Sequence, residues 1–222
     1  MIRFTHPFWD ELFEFEENRV NVLVIENAKF LRSVLQDMLC QLSGEDGEAI
    51  ISEDFKKLNF SKAVDLILDV FGLDVNNKRI LNKIYENMNE LALDQYYLAM
   101  TELLGSISGF IETIIEDIDY PIMYKNQNDI LALLKLSDVK VCTDNQELLG
   151  CIIDYLSIMS EICAIKCFIF VNLKSFLNKN ELKELYKHVF YKKINIMLVE
   201  STCREKLEYE VLHIVDESLC RI

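Results

Sequence analysis

Val22-Leu23-Val24-Ile25-Glu26-Asn27-Ala28-Lys29-Phe30 decides the fold: an apolar, β-branched run ends in polar residues and leads directly into a helical pattern. Two later runs, Phe168-Ile169-Phe170-Val171 and Ile194-Asn195-Ile196-Met197-Leu198-Val199, have the same character. Strands that are apolar on both faces and alternate with helices are typical of a parallel sheet covered on both sides. The sequence therefore predicts an α/β fold with a largely parallel sheet and flanking helices.

The turn after Ile25 lacks the glycines that a phosphate-binding loop needs. Sheets of this kind often hold nucleotide phosphates on a glycine-rich turn at the start of a helix. Here the turn reads Glu26-Asn27-Ala28-Lys29-Phe30, and neither Gly-x-x-x-x-Gly-Lys-[Ser/Thr] nor Gly-x-Gly-x-x-Gly occurs anywhere in the chain. We therefore predict a scaffold related to nucleotide enzymes but used for binding, with no nucleotide cofactor.

Composition is compatible with one domain or with one domain that carries a large insertion. The 222 residues are 51% hydrophobic and carry a formal net charge of -14. No uninterrupted apolar run approaches the roughly 20 residues that span a bilayer. Residues 1–11 also lack the basic start and apolar stretch of a signal peptide. We expect a cytoplasmic protein with no membrane partner.

The middle of the chain has a helical pattern. Residues 61–71 predict a short helix, and Asn77 to about Ile118 runs on without proline, with Gly105 and Gly109 marking an expected break or bend.

These patterns give the predicted domain boundaries. We expect residues 60–138 to form a helical insertion domain. Residues 1–59 and 139–222 would form one discontinuous sheet domain, with Ala49-Ile50-Ile51-Ser52 completing its first half and Val139-Lys140-Val141 opening its second.

The cysteines and histidines suggest no catalytic or zinc site. The seven cysteines are scattered, as are His6, His188 and His213, and no C-x-x-C pair or Gly-x-Ser-x-Gly occurs. We expect reduced, mostly buried structural thiols.

A basic segment is the first candidate site. Ile84 to Tyr124 contains no Lys or Arg, whereas lysines dominate from Lys166 to Lys193. Such segregation can focus positive potential on one surface of an anionic protein, and lysines bind duplex phosphates without reading the bases. A solvated helix face, locally paired with Glu181 and Glu184, explains the same pattern, and both interpretations remain open. Its candidate lysines are Lys174, the stripe at spacing four (Lys179, Lys183 and Lys187), and Lys192 and Lys193.

An acidic segment is the second candidate. Glu116-Asp117-Ile118-Asp119, with Asp129 beyond Pro121, offers the hard oxygen ligands that calcium prefers, although the EF-hand pattern is absent. A solvated helix end is the ordinary alternative. The same carboxylates could hold magnesium in a nuclease, but no accompanying catalytic arrangement supports this.

Several segments together resemble the small CRISPR-associated protein of type II-A systems that is required for spacer acquisition. They follow the family's order and cover most of the predicted sheet domain. The segments are His6-Pro7-Phe8, Val22-Leu23-Val24-Ile25-Glu26-Asn27 with Phe30, Gly44-Glu45-Asp46-Gly47-Glu48, Phe168-Ile169-Phe170-Val171-Asn172-Leu173-Lys174-Ser175-Phe176-Leu177, and Arg204-Glu205-Lys206-Leu207 followed by Ile214-Val215-Asp216 and Leu219-Cys220.

The resemblance implies an α/β core of the P-loop ATPase type without a working nucleotide site. It also implies a homotetrameric ring that threads double-stranded DNA through a lysine-lined hole, binds free ends and is held by calcium. Expected partners are the other CRISPR adaptation proteins and the effector nuclease. Lys174 lies in a matching segment, while charge and position add Lys29, Lys56, Lys57, Lys62 and Lys140.

Chemistry and location, with no family motif, make Glu116, Asp119 and Asp129 the calcium candidates, although Asn126, Gln127 and Asn128 dilute the acidic loop beside Asp129. The resemblance, together with the segregated lysines, thus implies a non-enzymatic, sequence-independent binder of DNA ends. An acidic protein-interaction scaffold is the alternative, and a cryptic nucleotide hydrolase or metal nuclease is a third possibility.

Overall fold

The computed structural model describes residues 1–7, 9–125, 129–143 and 145–221. Phe8 of the resembling segment and the amides Asn126, Gln127 and Asn128 therefore lie outside the described residues. The chain divides into two compact units: a sheet unit formed by Met1–Val75 and Thr143–Ile222, and a helical unit formed by Asn76–Cys142.

The elements follow each other in this order. The strands are β1 (Ile2–His6), β2 (Trp9–Glu14), β3 (Val20–Ile25), β4 (Ile50–Glu53), β5 (Lys56–Lys57), β6 (Val64–Ile67), β7 (Cys167–Val171), β8 (Asn195–Glu200) and β9 (Glu210–Val215). The helices are α1 (Ala28–Leu42), α2 (Phe60–Ala63), α3 (Lys78–Gln95), α4 (Tyr97–Glu116), α5 (Ile130–Leu136), α6 (Leu148–Ile162) and α7 (Lys179–Lys192), with a short 3-10 helix at Leu173–Ser175.

A parallel sheet forms the centre of the sheet unit, in the order β6-β7-β8-β3-β9. Val22 on β3 pairs with Leu198 on β8, which in turn pairs with Phe170 on β7. Every residue of β3 and β7 is buried, as expected for strands covered by helices on both faces. The predicted α/β fold with a largely parallel sheet is confirmed. Because all five strands are parallel, their carboxyl ends meet at one edge.

A second, antiparallel sheet has the order β2-β1-β4-β5. The prediction that residues 49–52 complete the first half of the main sheet is wrong, because β4 pairs with β1. Ile51 is buried and Ile50 is exposed, which is the one-sided burial of an antiparallel strand. Phe4, Trp9 and Phe13 fill the covered face with mutually packed rings.

The helix predicted over 61–71 is also wrong beyond α2, because Val64–Ile67 is the edge strand β6 and pairs in parallel with β7. A short apolar run does not by itself distinguish strand from helix, and the neighbouring strand decides it. The boundary between the units therefore falls after Val75 and not at residue 60.

Residues 139–141 are not a strand. The Asn76 side chain bonds both the amide and the carbonyl of Val141, and Tyr85 donates to the Val139 carbonyl. These contacts bond the backbone of Val139 and Val141 within the helical unit, which extends to Cys142.

The long helical pattern forms two helices that meet at Tyr96, whose φ of -120° and ψ of 20° are not helical. Gly105 and Gly109 lie inside α4, so the predicted break at these glycines is wrong. Helix α3 packs against both α4 and α5. By length and composition alone α4 could cross a membrane, which on a single helix is weak evidence. Its exposed large apolar side chains are Tyr97, Leu98, Leu103, Phe110 and Ile114.

Candidate nucleic-acid interface and neighbouring sites

Side chains of the protein itself occupy the edge where the parallel strands end. Asn172 follows β7 in a left-handed conformation (φ 56°), and its Oδ1 accepts from the amide and hydroxyl of Ser201, which follows β8. After β3, Asn27 caps α1 by accepting from the Phe30 amide at 3.0 Å and donates to the Glu217 carbonyl at 2.9 Å. The Phe30 amide, a donor that a glycine-rich turn would offer to a phosphate, is thus already bonded.

Lys174 lies in a buried ionic network beside this edge. Only 8% of the residue is exposed. Its Nζ donates to Glu210 Oε2 at 2.9 Å and to the Glu205 carbonyl at 3.0 Å, and its amide donates to Glu200 Oε1 at 3.0 Å. In this conformation Lys174 therefore cannot meet a DNA phosphate.

Glu200, Glu210 and Tyr186 complete the network, and the sequence analysis missed all three. The Tyr186 hydroxyl donates to Glu210 Oε1 at 2.6 Å. Burial raises the pKa of Glu200. The hydrogen bond from the Lys174 amide and the positive charge of Lys174 partly offset this rise. Burial followed by the negative charge of Glu210 also raises the pKa of Tyr186. A glutamate closing an apolar strand was the signal in the sequence, since buried charges are normally paired.

The other candidate lysines of the basic segment lie on α7, except Lys193, which directly follows it. Asn178 and Glu181 form a capping box that starts this helix, while Leu182 and Leu185 are buried beneath it. Lys179, Lys183 and Lys187 are exposed. Lys179 pairs with Glu205, whose pKa it lowers through a hydrogen bond and its charge.

Four candidates from the first part of the chain lie on neighbouring elements. Lys56 and Lys57 form β5, Lys62 lies on α2, and Lys29 lies in the first turn of α1. Helix α2 packs against both α1 and β4, and β4 pairs with β5, so these elements are neighbours. All four side chains are exposed. Lys140 belongs instead to the helical unit, where its Nζ lies 2.5 Å from Asp138 Oδ2.

The calcium candidates are not joined in one site within a single chain. Glu116 ends α4, Asp119 follows it, and Asp129 caps α5 by accepting from the Leu131 amide. All three are exposed. Among the described residues, no group of three or more His, Cys, Asp or Glu side chains could hold a metal ion. The side chains of one chain, as far as they are described, therefore do not fit a complete calcium site.

The sequence predicted no catalytic or zinc site made of histidine or cysteine side chains. His188 Nε2 lies 3.0 Å from Ser157 Oγ, a contact between two helices, and burial is the main cause that lowers the His188 pKa. Ser157 Oγ also donates to the Ile153 carbonyl at 2.9 Å within α6. His213 lies on β9. None of the seven cysteines, all of which lie in the described part of the chain, forms a disulfide, but the prediction that they are mostly buried is wrong, since Cys167 alone among them is buried.

Together, the five-stranded parallel sheet, its flanking helices and the separate helical unit define an α/β protein with a helical insertion. The family model of the CRISPR-associated protein Cas_Csn2 matches residues 41–219. The chain therefore belongs to the Cas_Csn2 family of CRISPR-associated proteins.

One solved structure with a low overall likeness is "Structure of a bacterial Atm1-family ABC exporter with ATP bound". It is 11% identical to this chain with a TM-score of 0.42, over 97% of this chain and 37% of the exporter chain. This chain thus spans little more than a third of the exporter's length, and a likeness at this level shows neither ATP binding nor a common activity.

Proposed function

We propose that this protein is a non-enzymatic, sequence-independent binder of double-stranded DNA ends that acts in CRISPR adaptation, the acquisition of new spacers in antiviral defence. Membership of a CRISPR-associated family supplies the context. We further propose a cytoplasmic homotetrameric ring whose partners include the other adaptation proteins and the effector nuclease.

The observation that carries this proposal is a set of lysines left available in an acidic protein. Lys29, Lys56, Lys57, Lys183 and Lys187 are exposed, and within the described residues none of them makes an ion pair. Elsewhere on the sheet unit Lys166, Lys179 and Lys192 are paired with Glu53, Glu205 and Glu161. Unpaired lysines can neutralise the phosphates of an outside ligand and release its counterions.

A net charge of -14 opposes DNA binding by a single copy, so assembly is part of the proposal. A closed ring of identical subunits repeats the same lysines around one axis and can turn the acidic surface outward. The exposed apolar side chains of α4 offer a surface for association between copies.

Calcium is the proposed stabiliser of the ring, as the family resemblance implies. Because Glu116, Asp119 and Asp129 are not grouped in one chain, an ion held by any of them would need further oxygen ligands. In an assembly, a second copy can supply such ligands. We therefore expect the oligomeric state of the protein to depend on calcium.

The first test is analytical ultracentrifugation with a labelled linear duplex and a closed circle of the same sequence, each with calcium and with a chelator. We expect a tetramer that binds the linear duplex and ignores the circle, and that dissociates on chelation. A monomer or dimer that binds neither DNA would contradict the ring. That result would favour the alternative function, an acidic protein-interaction scaffold, for which the exposed carboxylates of the helical unit are suited.

The absence of enzymatic activity is tested separately. The occupied edge around Asn27 and Asn172 supports a protein that does not hydrolyse nucleotides. We expect no release of phosphate from ATP and no cleavage of linear duplex in the presence of magnesium. Product formation that scales with protein concentration would contradict this part of the proposal.

A further inference from the structure

The turn between β4 and β5 has an unusual backbone. Asp54 and Phe55 both have positive φ, at 48° and 66°. Two-residue hairpin turns of this kind normally carry glycine at the second position, because a side chain there is strained. A large aromatic residue at positive φ is an outlier, and such strain often accompanies a functional site.

Burial does not offset the strain at Phe55, since 85% of the residue is exposed. The guanidinium carbon of Arg3 lies over the ring, 4.1 Å from its centroid. Arg3 is itself fixed, because its Nε donates to Glu14 Oε1 at 2.7 Å. The ring is thus oriented by a cation above one face, and most of its remaining surface is open.

The charges around the turn favour an anionic partner. Its two acids are already paired: Glu53 Oε1 lies 3.3 Å from Lys166 Nζ, and Asp54 Oδ1 lies 2.6 Å from the amino group of Met1. Lys56 and Lys57 follow Phe55 directly, are exposed and make no ion pair within the described part of the chain.

We propose that Phe55 is a stacking platform for a nucleobase at the end of a DNA duplex, with Lys56 and Lys57 contacting the adjacent phosphates. Every base has a flat face that stacks on an aromatic ring, so such contacts tolerate any sequence. Inside a duplex both faces of a base pair are covered by its neighbours, whereas the last pair has one face free.

This inference rests on the proposed function and adds what the lysines cannot supply. Phosphate contacts position a duplex but are the same along its whole length. A phenyl ring that stacks only on an uncovered base would distinguish the end of a duplex from its interior.

The test uses a linear blunt duplex that carries 2-aminopurine either at the last base pair or in the interior. We would measure its fluorescence and the Kd for the native chain, Phe55→Gly, Phe55→Tyr and Phe71→Ala. Glycine adopts the positive φ without strain, so Phe55→Gly is expected to unfold at the same temperature as the native chain or higher. Phe71 is a matched control, since it is an exposed phenylalanine of the same unit that packs on Phe176.

The expected result is a fluorescence change at the terminal probe alone, in the native chain, Phe55→Tyr and Phe71→Ala. Phe55→Gly should lose this change and bind the duplex roughly 5- to 150-fold more weakly, as for the loss of one base stack.

Three other outcomes would overturn the inference. If the native chain binds the duplex and Phe55→Gly matches it in both measurements, the platform is wrong while the proposed function stands. If the native chain binds no duplex, both fall together. If Phe55→Gly changes the sedimentation of the protein without DNA, the Phe55 side chain contacts a second copy of the protein instead of a base.

Discussion

Lys174 Nζ and Glu210 Oε2 lie 2.9 Å apart, with side-chain exposures of 5% and 0%. The pair joins the segment after β7 to the start of β9, and Tyr186 donates to the second oxygen of the same carboxylate. Lys174, the lysine of the segment 168–177 that resembles the family, therefore belongs to the interior of the sheet unit. Its role is to compensate a buried charge.

Replacing this lysine should destabilise the fold. In Lys174→Met the Glu210 carboxylate keeps its burial and loses its cation, which typically costs about 3–5 kcal/mol. Urea unfolding followed by circular dichroism measures the change in stability. The exposed Lys183→Met is the matched control and should change stability by no more than about 0.5 kcal/mol. Equal stability of both variants would contradict the buried network.

Removing exposed lysines should weaken DNA binding without affecting the fold. We expect Lys183→Ala combined with Lys187→Ala to raise the Kd for linear duplex, because fewer phosphates are neutralised. The slope of log Kobs against log salt should become shallower by about 0.9 for each phosphate that the protein no longer neutralises. Fluorescence anisotropy at several salt concentrations measures both quantities. Lys83→Ala, which removes a lysine already paired with Glu86, is the control and should leave the slope unchanged.

Stability should fall as the pH drops below neutral. His6 is buried and lies 3.0 Å from Asp37 Oδ2, and burial, the largest cause, lowers the pKa of His6 below its usual 6.5. The unfolded state then binds more protons than the folded state, so the contribution is present above pH 6.5 and is lost as the pH falls through the folded pKa. His188, with its own lowered pKa, acts in the same direction.

The unfolding temperature, measured between pH 7.5 and pH 5 in steps of about half a pH unit, checks this linkage. His6→Gln should reduce the dependence on pH, and His6→Gln with His188→Gln should reduce it further. A dependence that is the same in all three proteins would assign it to other groups.

The apolar surface of α4 should control self-association. A carboxylate in the middle of an apolar interface is left buried and unpaired, so Phe110→Glu should shift the protein toward smaller species in sedimentation velocity. Leu136→Glu is the control, because Leu136 is an exposed leucine on α5 of the same helical unit. If Phe110→Glu sediments like the native chain, α4 is not the contact between copies.

Much of the sheet unit could be predicted because its signals are local. The apolar runs that became β3, β7 and β8 are long enough to be recognised, and Asn27 and Asn178 cap the helices that directly follow them. Capping depends on residues within one turn, so three or four neighbours contain the whole signal.

Strand β6 and the position of the helix break were not predictable in the same way. Val64–Ile67 is too short for periodicity to decide, and it is a strand because β7, far along the chain, pairs with it. Tyr96 separates α3 from α4, although the glycines of α4 were the weaker helix formers. A glycine lowers the stability of a helix without necessarily ending it, so the two glycines could not locate the boundary.

The sequence by itself determined the class of fold, the absence of a glycine-rich phosphate loop and the segregation of charge, since each depends on residue type and short spacing. Only the tertiary structure decided which charges remain available. Lys174 is buried and paired with Glu210, whereas Lys56 and Lys57 are exposed and the acids beside them, Glu53 and Asp54, are paired with Lys166 and the Met1 amino group. These three ion pairs join residues that are distant in the chain, and the fold alone brings them within a few ångströms.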